Sequence, residues 1–143
     1  MEQNVTVDVA APPERVWQVV SDVERWPEWT PSVTTVHRAD DGPLRVGSRA
    51  TVRQPRLPES RYVVTELTPG RSFTWVASAP GVRTTARHDV EPLGDGARVR
   101  LSVTQSGPLG PVMARLYRGL TDRYLAEEAG GLKAWCEGRP APP

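Results

Sequence analysis

The 143-residue chain reads as an α+β domain in which a seven-stranded antiparallel sheet is covered by one long C-terminal helix. Three observations carry this reading. Period-two alternation opens the chain and recurs between strong turn signals, a short helical pattern follows the first strand, and the last part of the chain returns to helical spacing. Short links join antiparallel neighbours, and a sheet with one apolar face needs a cover that only the terminal helix is long enough to supply.

In the first strand Val5, Val7 and Val9 alternate with Thr6 and Asp8, so one face is buried. Pro12 and Pro13 then sit where a first helical turn tolerates missing donors. Glu14 suits the positive end of the dipole, and Val16, Val19 and Val20 repeat at helical spacing. This predicts a helix of about three turns ending near Asp22. The stretch VERWPEWTPSV, residues 23–33, cannot extend it, because Pro27 and Pro31 lack the N–H and clash with a preceding turn. Two of the five tryptophans stand in this loop. Trp26 and Trp29 each either plug the gap between the small helices and the sheet edge or wall a cavity mouth, the plug being the first reading for Trp26.

Strand-like runs follow at 33–38, 48–54, 61–67, 72–78, 83–91 and 97–105, separated by Asp41-Gly42-Pro43, Thr68-Pro69-Gly70, Ala79-Pro80-Gly81 and Gly94-Asp95-Gly96. From Pro111 the period is helical again. Val112, Met113, Leu116, Leu120, Tyr124, Ala129, Leu132 and Trp135 form an apolar stripe opposed by Arg115, Arg118, Asp122, Arg123, Glu127 and Glu128. A single helix from 111 to about 137 would be roughly 40 Å long, with a kink or fraying expected at Gly130 and Gly131. Residues 1–138 read as one domain and 139–143 as a disordered tail.

Eighteen basic residues oppose 17 acidic ones, for a net charge of +1, and no basic block could track phosphates, which argues against a nucleic-acid partner. Lys133 is the one lysine, a skew that fits codon bias in a GC-rich bacterial genome. Cys136 has no internal partner for a disulfide, and no apolar run approaches the roughly 20 residues of a membrane span. The N-terminus lacks the basic and apolar segments of a signal peptide, so a cytoplasmic location is expected. Two histidines without an acidic cluster predict no metal, and neither a glycine-rich phosphate loop nor a Gly-x-Ser-x-Gly elbow is present, so no cofactor is implied.

Four stretches carry a family resemblance: Ala11-Pro-Pro-Glu-Arg-Val-Trp17; Trp26-Pro-Glu-Trp-Thr-Pro31; Val46-Gly-Ser-Arg49 followed by Pro69-Gly-Arg-Ser-Phe-Thr-Trp75; and Gly107-Pro-Leu-Gly-Pro-Val-Met-Ala-Arg115. Together they span about residues 4–138. In content and order they resemble the SRPBCC superfamily (START, Bet v 1 and polyketide cyclase/dehydrase-like proteins), in its small bacterial branch. The resemblance implies a helix-grip fold, a curved sheet wrapped round the C-terminal helix with a cavity for hydrophobic small molecules between them. Members range from carriers to polyketide aromatase/cyclases, and the fold does not choose among these.

Strand parity supplies candidates for the cavity. Phe73 and Trp75 share an inward face. His88 lies with Ala86 and Val90 opposite a wholly charged face of Arg87, Asp89 and Glu91, so it points inward as either a core residue or a proton carrier. Tyr62 shares a face with Glu66 against Val63, Thr65 and Leu67, and parity leaves its direction open. Gln54 and Gln105 share faces with Val52 and Val103, and either project inward or end their strands in water. Met113, Leu116, Tyr117, Leu120 and Tyr124 would form the roof, with methionine as adaptable packing. Trp29, Gln54, Tyr62, Phe73, Trp75 and His88 with these five constitute the expected ligand-binding set.

Three functional readings follow. The first is a carrier or sensor of a hydrophobic, ring-containing molecule. The second, implied by the resemblance, is a polyketide cyclase/dehydratase-like enzyme with His88 as base, Tyr62 or Gln54 as donor, and Trp75 and Phe73 as the ordering wall. The third is a chaperone-assisting module, which would show an exposed apolar patch. Monomer and homodimer both stay open.

Overall fold

The computed structural model describes residues 2–138, and the tail expected to be disordered lies outside them. Strand β1 (Glu2–Val9) leads into helix α1 (Pro13–Ser21) and a 3-10 helix (Val23–Glu28). Six strands follow: β2 (Thr35–Arg38), β3 (Arg49–Arg53), β4 (Ser60–Thr68), β5 (Ser72–Ala79), β6 (Val82–Leu93) and β7 (Gly96–Ser106). Helices α2 (Gly110–Leu116) and α3 (Arg118–Cys136) close the fold. The sheet runs β1-β7-β6-β5-β4-β3-β2, antiparallel throughout. Only the first strand leaves chain order: it pairs with the last, and α1 with the 3-10 helix carries the chain to the far edge. This is the helix-grip architecture.

The core lies between the concave face of the sheet and the helices. Val16 and Val20 from α1, Val23 and Trp26 from the 3-10 helix, Phe73, Val90 and Val99 from the sheet, and Leu132 from α3 are all buried in one cluster. No side chain caps α1; Pro13 at its start removes one of the unpaired first-turn donors, and the Arg15 and Val16 N–H groups donate to the Pro12 carbonyl. Trp26 donates its indole N–H to the Val20 carbonyl at 3.0 Å, tying the loop to the end of α1.

The single long terminal helix of the sequence reading is two helices. The backbone turns at Tyr117 (φ −101°, ψ 12°), where α2 ends and α3 begins. α2 rests on β6 and β7, whereas α3 lies along β1 and β7, so one straight rod could not follow both. Leu109 N–H bonded to the Gly81 carbonyl at 2.7 Å fastens the start of α2 to the β5–β6 turn.

No break occurs at Gly130 and Gly131; α3 runs through both. Gly131 has another purpose. A Cβ built there would stand 3.0 Å from the Trp29 carbonyl carbon and still nearer its oxygen, so the tryptophan loop seats directly on the helix backbone.

A bulge in β4 resolves the ambiguous strand. The register with β5 shifts between Val64 and Glu66, and the extra residue swaps the faces beyond it. Tyr62 and Val64 face the core before the bulge and Leu67 after it, while Glu66 turns to water. Strict alternation would have put Tyr62 and Leu67 on opposite faces.

Candidate functional site

A pocket of about 210 Å³ lies between the concave sheet face and the two terminal helices. One end lies at the β5–β6 turn, where Ala79 pairs with Val82 and Met113 and Tyr117 stand opposite. The other reaches His88, which pairs with Leu101, and Glu128, the lining residue farthest along α3.

Aromatic rings make much of the wall. Tyr62 stacks on Trp75 at 4.8 Å, and Trp26 meets Trp75 edge-on at 5.3 Å. Such pairs contribute roughly 0.5–1.5 kcal/mol each beyond burial and hold the walls in place. Behind them Phe73, fully buried, stacks on His88 at 4.2 Å.

His88 lines the pocket and is 5% exposed, and its Nδ1 has no hydrogen-bond partner among the described residues. Burial holds its pKa down to about 4, against the opposing pull of a hydrogen bond with the Phe73 backbone and the charge of Asp89. At neutral pH the imidazole is uncharged. It also takes up a proton less readily than an ordinary histidine, which weakens it as a base.

Glu128 is the feature the sequence reading missed. Helical phase placed it on the polar side of the stripe, yet it lines the pocket. Desolvation pushes its carboxyl up to about 7, opposed by a hydrogen bond from Ser32 and reinforced by the charge of Glu127. Ser32 Oγ donates to Glu128 Oε1 at 3.4 Å, and Ser32 Oγ and Thr30 Oγ1 are 2.7 Å apart. Gln54 Nε2 in turn donates to the Ser32 carbonyl at 3.2 Å. The end of the tryptophan loop is thus a polar bracket for one half-buried carboxyl. The one hint in the sequence was Thr30 and Ser32, two small hydroxyl residues directly after the loop's second tryptophan.

Burial first, and the charge of Glu128 second, push the Tyr62 phenol up to about 12, so it remains a donor. Near the pocket's other end Thr84 Oγ1 donates to Gln105 Oε1 at 2.9 Å.

Gln54, Tyr62, Trp75, His88, Met113, Tyr117 and Tyr124 of the expected ligand-binding set line the pocket, and Trp29, Phe73, Leu116 and Leu120 do not. Trp29 packs behind Trp26, in a separate groove with Arg15 and Trp135, because its carbonyl is pinned against Gly131. Of the two loop tryptophans, each readable as plug or wall, the wall is therefore Trp26. Phe73 lies one layer beneath the pocket surface, under His88. Leu116 is 69% exposed and Leu120 off the lining, since the turn at Tyr117 resets the helical phase. Tyr124 also donates its hydroxyl to the Pro55 carbonyl, closing α3 onto the β3–β4 loop.

Residues 2–137 match the family described as polyketide cyclase / dehydrase and lipid transport. The chain belongs to that family. Its SRPBCC character, inferred from the four sequence stretches, stands with it. A curated relative, the granaticin polyketide synthase bifunctional cyclase/dehydratase of Streptomyces violaceoruber, is 35% identical over 92% of this chain. The chain spans 43% of that protein's length. A START superfamily protein from Mycobacterium smegmatis superposes with a TM-score of 0.74 at 21% identity, covering 96% of this chain and 97% of that one. The di-domain ARO/CYC BexL from the BE-7585A biosynthetic pathway gives 0.69 at 23%, covering 93% of this chain and 45% of its own. These two likenesses concern the fold.

Among the described residues no helix is long and apolar enough to cross a membrane, and no group of three His, Cys, Asp or Glu side chains could hold a metal ion.

Proposed function

We propose that this protein binds a hydrophobic, ring-containing small molecule in the pocket between the sheet and the terminal helices, as a carrier or sensor. The observation that carries the reading is the pocket wall: Trp26, Tyr62 and Trp75 locked edge-on and face-on around a space of about 210 Å³, with a few polar groups set among them. Flat apolar walls with few polar groups suit a planar ring system. The space is smaller than the roughly 300–1,000 Å³ of drug-sized sites, which favours one compact ring system over a long acyl chain.

A second reading, turnover of a polyketide-like substrate in the same pocket, is favoured by the cyclase/dehydratase relative and by the acid–base groups at the pocket's end. Enolisation beside a carbonyl needs a base and a donor for the oxygen. With His88 held neutral as a weak base, Glu128 is the better-matched group and Tyr62 the donor.

Native mass spectrometry of protein purified gently from a bacterial host tests the first reading. A stoichiometric adduct of a few hundred daltons, released on denaturation and absorbing as an aromatic, is the expected result. Protein that carries nothing and takes up no aromatic probe at millimolar concentration would overturn it. Conversion of a released molecule on reincubation, lost in Glu128→Gln, would move the assignment to the enzyme.

A further inference from the structure

We propose that Glu128 and Tyr62 form a recognition pair that selects an uncharged, hydroxyl-bearing ring, a phenol, and rejects ring carboxylates. The inference rests on the pocket-binding reading and specifies its ligand class.

The geometry points this way. Ser32 occupies one oxygen of Glu128, and its other oxygen has no partner among the described residues. The Tyr62 hydroxyl likewise has no partner among them, and both residues line the same pocket. The Glu128 carboxylate is an acceptor and Tyr62 a donor. A phenolic hydroxyl satisfies both at once, donating to the carboxylate while its oxygen accepts from Tyr62.

Charge decides what is excluded. Glu128 is the one acidic residue in the lining and Arg87 the one basic residue. The Arg87 guanidinium is half-exposed and engaged elsewhere, 2.7 Å from Asp89 and 3.9 Å from Glu66. His88 beside it is neutral at working pH. A buried carboxylate ligand would therefore meet a like charge and no cation, and burying an unpaired charge is strongly disfavoured.

The groups that face Glu128 are few. The sheet side presents Tyr62, His88 and Arg87; the helices present Tyr117 and Tyr124 in the lining and the charge of Glu127. Burial holds the Tyr62 and Tyr124 phenols protonated and keeps His88 uncharged above about 4, whereas Glu128 changes charge between mildly acidic and mildly basic pH.

The test uses three probes of one shape, naphthalene, 2-naphthol and 2-naphthoate, titrated against the protein by tryptophan fluorescence and calorimetry. At about pH 8, where Glu128 is ionised, 2-naphthol should bind at least tenfold tighter than 2-naphthoate. At about pH 5.5 the naphthoate, still ionised, should gain affinity as Glu128 takes up its proton. Glu128→Gln should remove both the discrimination and its pH dependence, read as affinity ratios to naphthalene within the same variant, and Tyr62→Phe should weaken 2-naphthol relative to naphthalene. Melting curves for each variant confirm folding. Equal affinities for the three probes, or an unchanged ratio in Glu128→Gln, would overturn the recognition pair and leave the pocket reading standing. Failure of all three probes to bind would overturn the pocket reading, and this inference with it.

Discussion

Gly130 and Gly131 are adjacent, both lie inside α3, and a helix-propensity argument treats them alike: alanine at either should stabilise by about 1 kcal/mol. The structure separates them. A Cβ at Gly130 meets nothing within 4 Å, whereas one at Gly131 would stand 3.0 Å from the Trp29 carbonyl carbon and 3.5 Å from the Thr30 Cα. These are backbone atoms of a loop held by Trp26, Pro27 and the Thr30–Ser32 bond, so they cannot rotate aside as a side-chain end would. Overpacking of this kind costs about 1–3 kcal/mol. Gly130→Ala should therefore raise stability by about 1 kcal/mol, or roughly 3 °C in melting temperature. Gly131→Ala should come out neutral to about 2 kcal/mol destabilised after the same propensity gain. Urea and thermal denaturation followed by circular dichroism measure both. Tryptophan emission adds an independent readout, since only Gly131→Ala displaces the loop bearing Trp26 and Trp29. Equal stabilisation by the two alanines, with unchanged emission, would show that the loop does not seat on α3.

Titration offers a further pair of predictions. The Glu128 carboxyl sits at about 7 in the folded chain against an ordinary 4.5, so the fold binds the extra proton between those values and loses stability as pH rises through the window. Glu128→Gln should remove that loss, gaining on wild type between about pH 4.5 and 8 by no more than about 3 kcal/mol, and less where water reaches the pocket. His88 has the opposite sign: its lowered pKa penalises the fold as pH falls from about 6.5 toward 4, and His88→Phe should flatten that acid limb. Equilibrium unfolding across pH reads both, and parallel profiles for variant and wild type would contradict the burial assigned to the group. On the helices, Leu116→Ser should stay within about 0.5 kcal/mol of wild type because the side chain is 69% exposed. Trp75→Ala should cost about 3–5 kcal/mol, the side chain being 3% exposed beneath Trp26 and Tyr62. A substantial loss in the leucine variant would restore the single-helix reading.

Much of the fold was legible because the signals were local. Alternation of Val5, Val7 and Val9, the prolines opening α1, and the glycine turns between strands are steric facts about a few neighbouring residues, and the strands appear within a residue or two of the expected places. Inward placement of Trp75 and His88 was legible for the same reason: Phe73, Trp75 and Ala77 make one heavy apolar face, and the face opposite His88 is wholly charged. The errors have a common form. A period was carried past a point where the backbone interrupts it, at the β4 bulge and at Tyr117. Leu116 and Leu120 were assigned to a roof they do not form, and Glu128 to a solvent face it does not occupy.

By itself the sequence determined which segments are strands and helices, and the resemblance told which family they build, since both depend on short patterns of residue type. Tertiary structure decided which side chains meet. Trp26 rather than Trp29 walls the pocket because a carbonyl near the loop's end packs on Gly131, about a hundred residues away in the chain. Glu128 is perturbed because its place in the pocket wall strips water from the carboxyl, by more than the bond from Ser32, a segment remote in the chain, offsets. Burial and desolvation belong to no single residue; they arise where segments remote in sequence close around the same few cubic ångströms.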